Sequence, residues 1–168
     1  MSLKADLADW DMKSADVIAA IYQRYCDDAE FQAQVVAMAV GVFERGATWL
    51  LKRDLEARKT PLATELAERI FASTAKTQHW EAKLHILQIM MWLPLSPKHL
   101  PAALDFVRSC LTSDRKFLRA WAYSGFYEIA RQYPDYQVEA KRLFLHALEY
   151  ETAGSVLARV RKVAGQGF

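Results

Sequence analysis

The sequence predicts an all-α protein, and three observations support this fold class. Apolar residues recur at steps of three and four along most of the 168 residues, which is the spacing of one helix face. No segment alternates polar and apolar residues as a half-buried strand does, and the chain has no asparagine for the Asn-Gly turns of β hairpins. With 52% apolar residues, the chain is long enough to form a single domain over residues 1–168.

The N-terminal third is predicted to contain a short lead-in helix followed by longer helical segments. The lead-in helix is expected within residues 1–13. Residues 30–44 are apolar on most of their circumference, which favours a central helix covered on several sides. Arg45-Gly46 is predicted to bend the chain before a helix resumes towards Arg58.

The rest of the chain is predicted to form pairs of helices separated by turns that contain proline. Thr60-Pro61 is expected to begin a helix, because proline at the first helical position loses no hydrogen bond. Pro134 is expected to end the helix before it, since a residue preceding proline avoids the helical region. The second helix of each pair is expected near residues 46–58, 79–93, 115–133 and 153–164. The complete hairpins are predicted to span residues 14–58, 60–93, 96–133 and 135–164.

The segment from Asp114 to Tyr133 is predicted to be the helix around which the others pack. An apolar stripe follows its length, and further aromatic residues widen that stripe beyond what a surface helix requires. The stripe contains Leu118, Ala122, Gly125, Phe126, Ile129 and Tyr133, and the additional aromatic residues are Trp121, Tyr123 and Tyr127. We therefore expect neighbouring helices on more than one side of this segment.

The helix pairs recur at a regular interval, which is typical of helical repeat proteins. An early alanine in each second helix lies 35, 38 and 38 residues after the previous one, and the four are Ala47, Ala82, Ala120 and Ala158. This period fits a helical-hairpin solenoid of the HEAT or armadillo size class.

One segment resembles the second half of a HEAT repeat, in which a turn aspartate precedes a helix with an arginine, an alanine, a small residue and aliphatic positions. The matching residues are Leu111, Asp114, Leu118, Arg119, Ala122, Gly125, Phe126 and Ile129. The resemblance to the HEAT-repeat family implies a right-handed α-α superhelix, a solenoid of about four HEAT-like hairpins. It also implies that Asp114 and Arg119 belong to a structural ladder of polar contacts between hairpins.

The charge is nearly balanced over the whole chain but uneven along it. The 22 basic and 20 acidic side chains give a net charge of +2, whereas residues 114–168 carry 9 basic and 6 acidic side chains. Cys26 and Cys110 each lie in an apolar helical pattern, which favours buried thiols in a reducing compartment. Neither a basic-then-apolar leader nor an apolar run of about 20 residues is found, which predicts a cytoplasmic protein without membrane association.

No catalytic, cofactor-binding or metal-binding residue is predicted. Ser73 and Lys76 match a serine-x-x-lysine pattern, but the companion motifs of the enzymes that use it are absent. No two histidines are four residues apart, and no Cys-x-x-Cys or His-Glu-x-x-His motif accompanies them. The histidines are His79, His85, His99 and His146. Enzymatic activity is therefore left open, with a non-enzymatic role favoured.

The leading functional hypothesis is a non-catalytic scaffold that binds an unidentified protein, because a solenoid exposes a continuous curved surface. The alternative is a HEAT-like DNA-binding protein or a relative of the alkylpurine DNA glycosylases, although none of the glycosylase site residues matches a position here. Nucleic acid is the less favoured partner, and the oligomeric state is not indicated. The candidate partner-binding residues are basic side chains of the last two hairpins: Arg115, Lys116, Arg119, Arg159, Arg161 and Lys162.

Overall fold

The protein is helical throughout in the computed structural model, which describes all 168 residues. Helices account for 78% of the residues and no strand is present, which confirms the all-α fold class. The chain forms two compact units, Met1–Pro94 and Leu95–Phe168. The boundary between these units falls between the second and third predicted hairpins.

The first unit contains six α helices arranged around the fourth. They are α1 (Leu3–Asp9), α2 (Ala15–Tyr25), α3 (Phe31–Ala37), α4 (Glu44–Arg58), α5 (Thr64–Ser73) and α6 (Trp80–Ile89). Helix α4 packs against α2, α3 and α6, and its inward face is fully buried at Leu50, Leu51 and Leu55. The lead-in helix is α1, and the Ser14 side chain caps α2 by accepting a hydrogen bond from the Val17 backbone N–H.

The prediction of one central helix over residues 30–44 is wrong. Helix α3 ends at Ala37, and the chain passes through a short 3₁₀ turn, Gly41–Phe43, before α4 begins. The break covers residues 38–40, and Gly41, which opens the 3₁₀ turn, has a φ of +74°, a conformation that glycine adopts without steric cost. Gly46 lies inside α4 instead of bending the chain, and it is buried there.

Some helices begin later than the sequence predicted, because a turn precedes them. Helix α5 starts at Thr64 and not at Pro61, because Lys59 ends α4 in a left-handed conformation with φ of +54° and residues 60–63 are not helical. The Leu62 backbone N–H then donates to the Trp92 carbonyl, 2.9 Å away. The predicted helix 79–93 is α6 followed by a 3₁₀ turn, Met90–Trp92.

The second unit contains four α helices, and the predicted organising segment is its centre. They are α7 (Leu100–Leu111), α8 (Lys116–Gln132), α9 (Gln137–Tyr150) and α10 (Gly154–Gln166). Helix α8 packs against α7, α9 and α10. Ala122, Phe126 and Ile129 are fully buried, and Gly125 is also buried. The helix ends where predicted, because Tyr133 is extended before Pro134.

Three of the four alanines in the proposed repeat alignment are buried. Ala47 and Ala82 are fully buried and Ala120 is nearly so, whereas Ala158 is exposed on α10. The fourth second helix therefore does not place its alanine in the same environment. The right-handed superhelix stays a prediction. Of the two free cysteines, Cys110 is buried as expected, whereas Cys26 at the end of α2 is half-buried.

Candidate partner-binding site

A stacked pair of side chains joins α8 and α10 at the predicted basic surface. The Arg159 guanidinium carbon lies 3.6 Å from the centre of a Trp121 ring, and both residues are half-buried. Stacking of this kind is a favourable cation–π interaction. Arg159 forms no hydrogen bond or ion pair with another group of the protein.

The missing anionic partner gives Arg159 an unusual electrostatic position. Burial lowers the pKa of Arg159 from its ordinary value, and no carboxylate counteracts that effect. An arginine nevertheless stays protonated at neutral pH. The structure therefore holds a partly desolvated cation whose hydrogen-bond donors are not used by the protein.

A second cation and aromatic pair lies one helical turn away on α8. The Lys116 ammonium is 5.4 Å from the centre of the Phe117 ring, which is half exposed. Phe117 and Trp121 are four residues apart and share one side of α8, and Lys162 lies three residues after Arg159 on one side of α10. We call these five residues the cation–aromatic surface. Lys116, Arg159 and Lys162 had been predicted as partner-binding residues, whereas Phe117 had not.

Arg119 has a structural role, because its side chain is used in contacts within the protein. Its guanidinium donates two hydrogen bonds to the Glu151 carboxylate, each 3.1 Å long, and two more to the backbone carbonyls of Ser113 and Asp114. These contacts join the start of α8 to the connection between α9 and α10. The Asp114 contact uses its backbone carbonyl, and the carboxylate that pairs with Arg119 is that of Glu151.

Several hydrogen bonds stabilise the charged form of Glu151. The Arg119 guanidinium and the backbone N–H groups of Ala153 and Thr152 hold the pKa of Glu151 below its usual value. Because Arg119 is already paired with this carboxylate, it is a weak candidate for contact with a partner.

The remaining two predicted residues, Arg115 and Arg161, are not among the five residues of the cation–aromatic surface. Arg115 is exposed at the residue preceding α8. Arg161 is exposed on α10, but two helical residues rotate it about 160° around the axis from Arg159. The six predicted residues therefore do not form one cluster. Phe117 was missed because an exposed aromatic residue beside charges gives no periodic signal.

A groove between α9 and α10 is the other concave feature of the second unit. Its volume is about 290 Å³ and its walls are mainly apolar, with Phe144, Leu148, Val163 and Phe168 among them. Lys141 is the only charged residue that lines it. The groove therefore offers apolar contact area and no pair of groups for acid–base chemistry.

Other candidate chemistry is accounted for by local structure. The Ser73 hydroxyl donates to the Ile70 carbonyl at 2.7 Å, as serine commonly does inside a helix. No three histidine, cysteine, aspartate or glutamate side chains lie close enough together to hold a metal ion. None of the helices combines the length and apolar character needed to cross a membrane. Comparisons with protein-family models, curated proteins and solved structures find no match.

Proposed function

We propose that the protein is a non-catalytic scaffold of the HEAT-repeat type that binds an acidic segment of another protein at the cation–aromatic surface. The observation that carries this proposal is Arg159, a half-buried cation with no anionic partner in the chain. A carboxylate from a partner supplies the charge-assisted hydrogen bonds that Arg159 lacks, and arginine binds carboxylates with two parallel bonds.

The surroundings of Arg159 support a protein partner. Tryptophan and arginine are the residues that most often dominate protein interfaces, and here they are already stacked. The unit Leu95–Phe168 carries 11 basic and 7 acidic side chains, so its charge of +4 attracts an acidic segment. In a superhelical arrangement of the hairpins, such a surface would be part of a continuous curved face.

The second candidate function, binding of DNA, draws on the same surface. Aromatic side chains interleaved with cations also bind single-stranded nucleic acid by stacking and charge. A glycosylase-like enzyme additionally needs a carboxylate beside an exposed aromatic residue. Neither Trp121 nor Arg159 contacts a carboxylate, which favours binding over catalysis.

The test compares three labelled probes by fluorescence anisotropy on the full chain: a glutamate-rich peptide, its lysine-rich counterpart and a DNA oligonucleotide. We expect the glutamate-rich peptide to bind best. Arg159→Ala should weaken its binding about tenfold, because one charge-assisted pair is lost. The matched control is Arg161→Ala, which removes the same charge from the other side of α10 and should have little effect.

Three results would contradict the proposal. The first is equal binding of the acidic and basic peptides, and the second is an equal loss of binding in the two arginine variants. The third is tighter binding of DNA, with an affinity that falls steeply as salt rises because several phosphates are neutralised.

A further inference from the structure

The first unit contains a pocket that none of the predicted functions uses. Its volume is about 150 Å³, and it lies between the α1–α2 connection, α4 and α6. A cavity of this size accommodates one aromatic ring. The polar and aromatic residues that line it are Trp10, Lys13, Arg45, Trp49, Glu81 and His85.

The hydrogen bonds of Thr48 fix the tautomer of His85. The Thr48 hydroxyl lies 2.7 Å from the Glu44 carbonyl, which can only accept, so its single proton is donated there. Thr48 Oγ1 also lies 3.0 Å from His85 Nδ1, and must therefore accept a hydrogen bond from that nitrogen. The lone pair of the neutral ring is consequently on Nε2.

His85 thus offers an unused acceptor at the pocket. The residue is 91% buried, and Nε2 has no hydrogen-bond partner in the protein. Burial, with smaller contributions from the nearby cations Lys52 and Arg45, lowers the pKa of His85 to about 3. The ring therefore stays neutral at physiological pH and accepts through Nε2.

Glu81 supplies a second acceptor on the same helix. One carboxylate oxygen, Oε2, accepts a hydrogen bond from Arg45 Nε, and the other, Oε1, has no protein partner. Arg45 in turn lies over the Trp10 ring, 5.8 Å from its centre. The ion pair with Arg45 orients the side chain of Glu81, which lines the pocket together with Trp10 and Trp49.

We propose that this pocket binds a one-ring aromatic amine, of the 2-aminopyridine type, whose two amino N–H bonds donate to His85 Nε2 and Glu81 Oε1. Trp10 and Trp49 provide the aromatic surface against which a flat ring packs. A ligand without N–H donors leaves both acceptors desolvated and unpaired, which is unfavourable.

The experiment measures binding of 2-aminopyridine to the full chain by ligand-observed NMR and by quenching of tryptophan fluorescence. Toluene has the same size and no N–H group, so it serves as the ligand control. Glu81→Gln should weaken binding of 2-aminopyridine at least tenfold, as should His85→Leu. Glu56→Gln is the matched control variant, because Glu56 is also paired with a cation, Lys52 at 2.8 Å, and does not line the pocket.

Circular dichroism establishes whether each variant is folded. If His85→Leu does not fold, the binding measured for Glu81→Gln tests the proposal by itself. The proposal is overturned if 2-aminopyridine does not bind at millimolar concentration. It is also overturned if toluene binds as well as 2-aminopyridine, or if Glu81→Gln and Glu56→Gln bind it equally.

Discussion

Gly46 illustrates how a single residue positions a helix. A Cβ atom at this position would lie 2.8 Å from Leu7 Cδ2 and 3.2 Å from the Trp10 ring. Both neighbours are buried, so neither can move freely. Gly46 thus permits the close approach of α1 to α4. A glycine within a helical pattern can mark either a bend or the close approach of a neighbour, and the sequence suggested the bend.

Replacing Gly46 by valine should destabilise the protein by about 1–3 kcal/mol, because overpacking outweighs the better helix propensity of the new residue. Urea denaturation of the two proteins measures this difference. Gly165→Ala is the control, since Gly165 lies in α10 with open space around it, and that change should stabilise by about 0.5–1 kcal/mol. Equal stability of Gly46→Val and the wild type would mean that α1 does not pack as described.

His85 should make the free energy of unfolding decrease as the pH is lowered. Its pKa is about 3 in the folded protein and about 6.5 in the unfolded chain, so only the unfolded chain binds this proton between those values. The free energy of unfolding should therefore fall as the pH decreases below about 6.5, by up to about 1.4 kcal/mol per pH unit from this group.

The measurement is denaturant unfolding across this pH range for the wild type, His85→Leu and His146→Ala. His85→Leu should flatten the acid side of the profile. The exposed His146 is the control, and its variant should keep the slope because His85 is retained. An unchanged slope in His85→Leu contradicts the assignment of a buried neutral histidine.

At the scale of elements, the contact between Arg119 and Glu151 ties three helices together. Glu151→Gln should cost about 1–2 kcal/mol at neutral pH, because it weakens charge-assisted hydrogen bonds of a mostly buried pair. The folded-state pKa of Glu151 is lowered, so this contribution is present above about pH 4.5 and is lost as the pH falls further.

The control for this prediction is Glu139→Gln. Glu139 accepts two hydrogen bonds of 2.9 Å from Arg108, but that arginine is nearly half exposed and the solvent screens the pair. Its loss should cost at most about 1 kcal/mol. Thermal unfolding at neutral and acidic pH compares the two variants, and equal losses would argue against a structural role of Arg119.

The sequence located helices well where their stop signals are local. The end of α8 before Pro134 is an example, because the proline alone disfavours further helix. It failed between Ala37 and Glu44, where apolar residues continue the helical pattern although Val42 is 76% exposed. There Gly41 adopts a positive φ and α3 packs against α5, and neither feature has a periodic signal.

The candidate sites were predictable only in part for a similar reason. The basic residues of the last two hairpins could be named, but their partners could not. Arg159 and Trp121 are 38 positions apart, and their stacking follows from the packing of α10 on α8. The pocket of the first unit was missed because its lining spans the distance from Trp10 to His85 along the chain.

At the scale of the whole molecule, far-ultraviolet circular dichroism should report a helix content near 78%. This follows from ten α helices with short connections and 3₁₀ turns. A content below about half of the residues, or appreciable strand, would contradict the fold.

Trp10 belongs at once to the contact that seats α1 on Gly46 and to the wall of the pocket. Occupancy of the pocket and docking of α1 are therefore thermodynamically coupled, and the coupling is equal in both directions. A helix of only 7 residues with few packing neighbours is among the first parts of a protein to open locally. A bound ring that contacts Trp10 should accordingly slow hydrogen exchange of the α1 amides. Exchange in α1 would then report the binding of a ligand at the end of this helix.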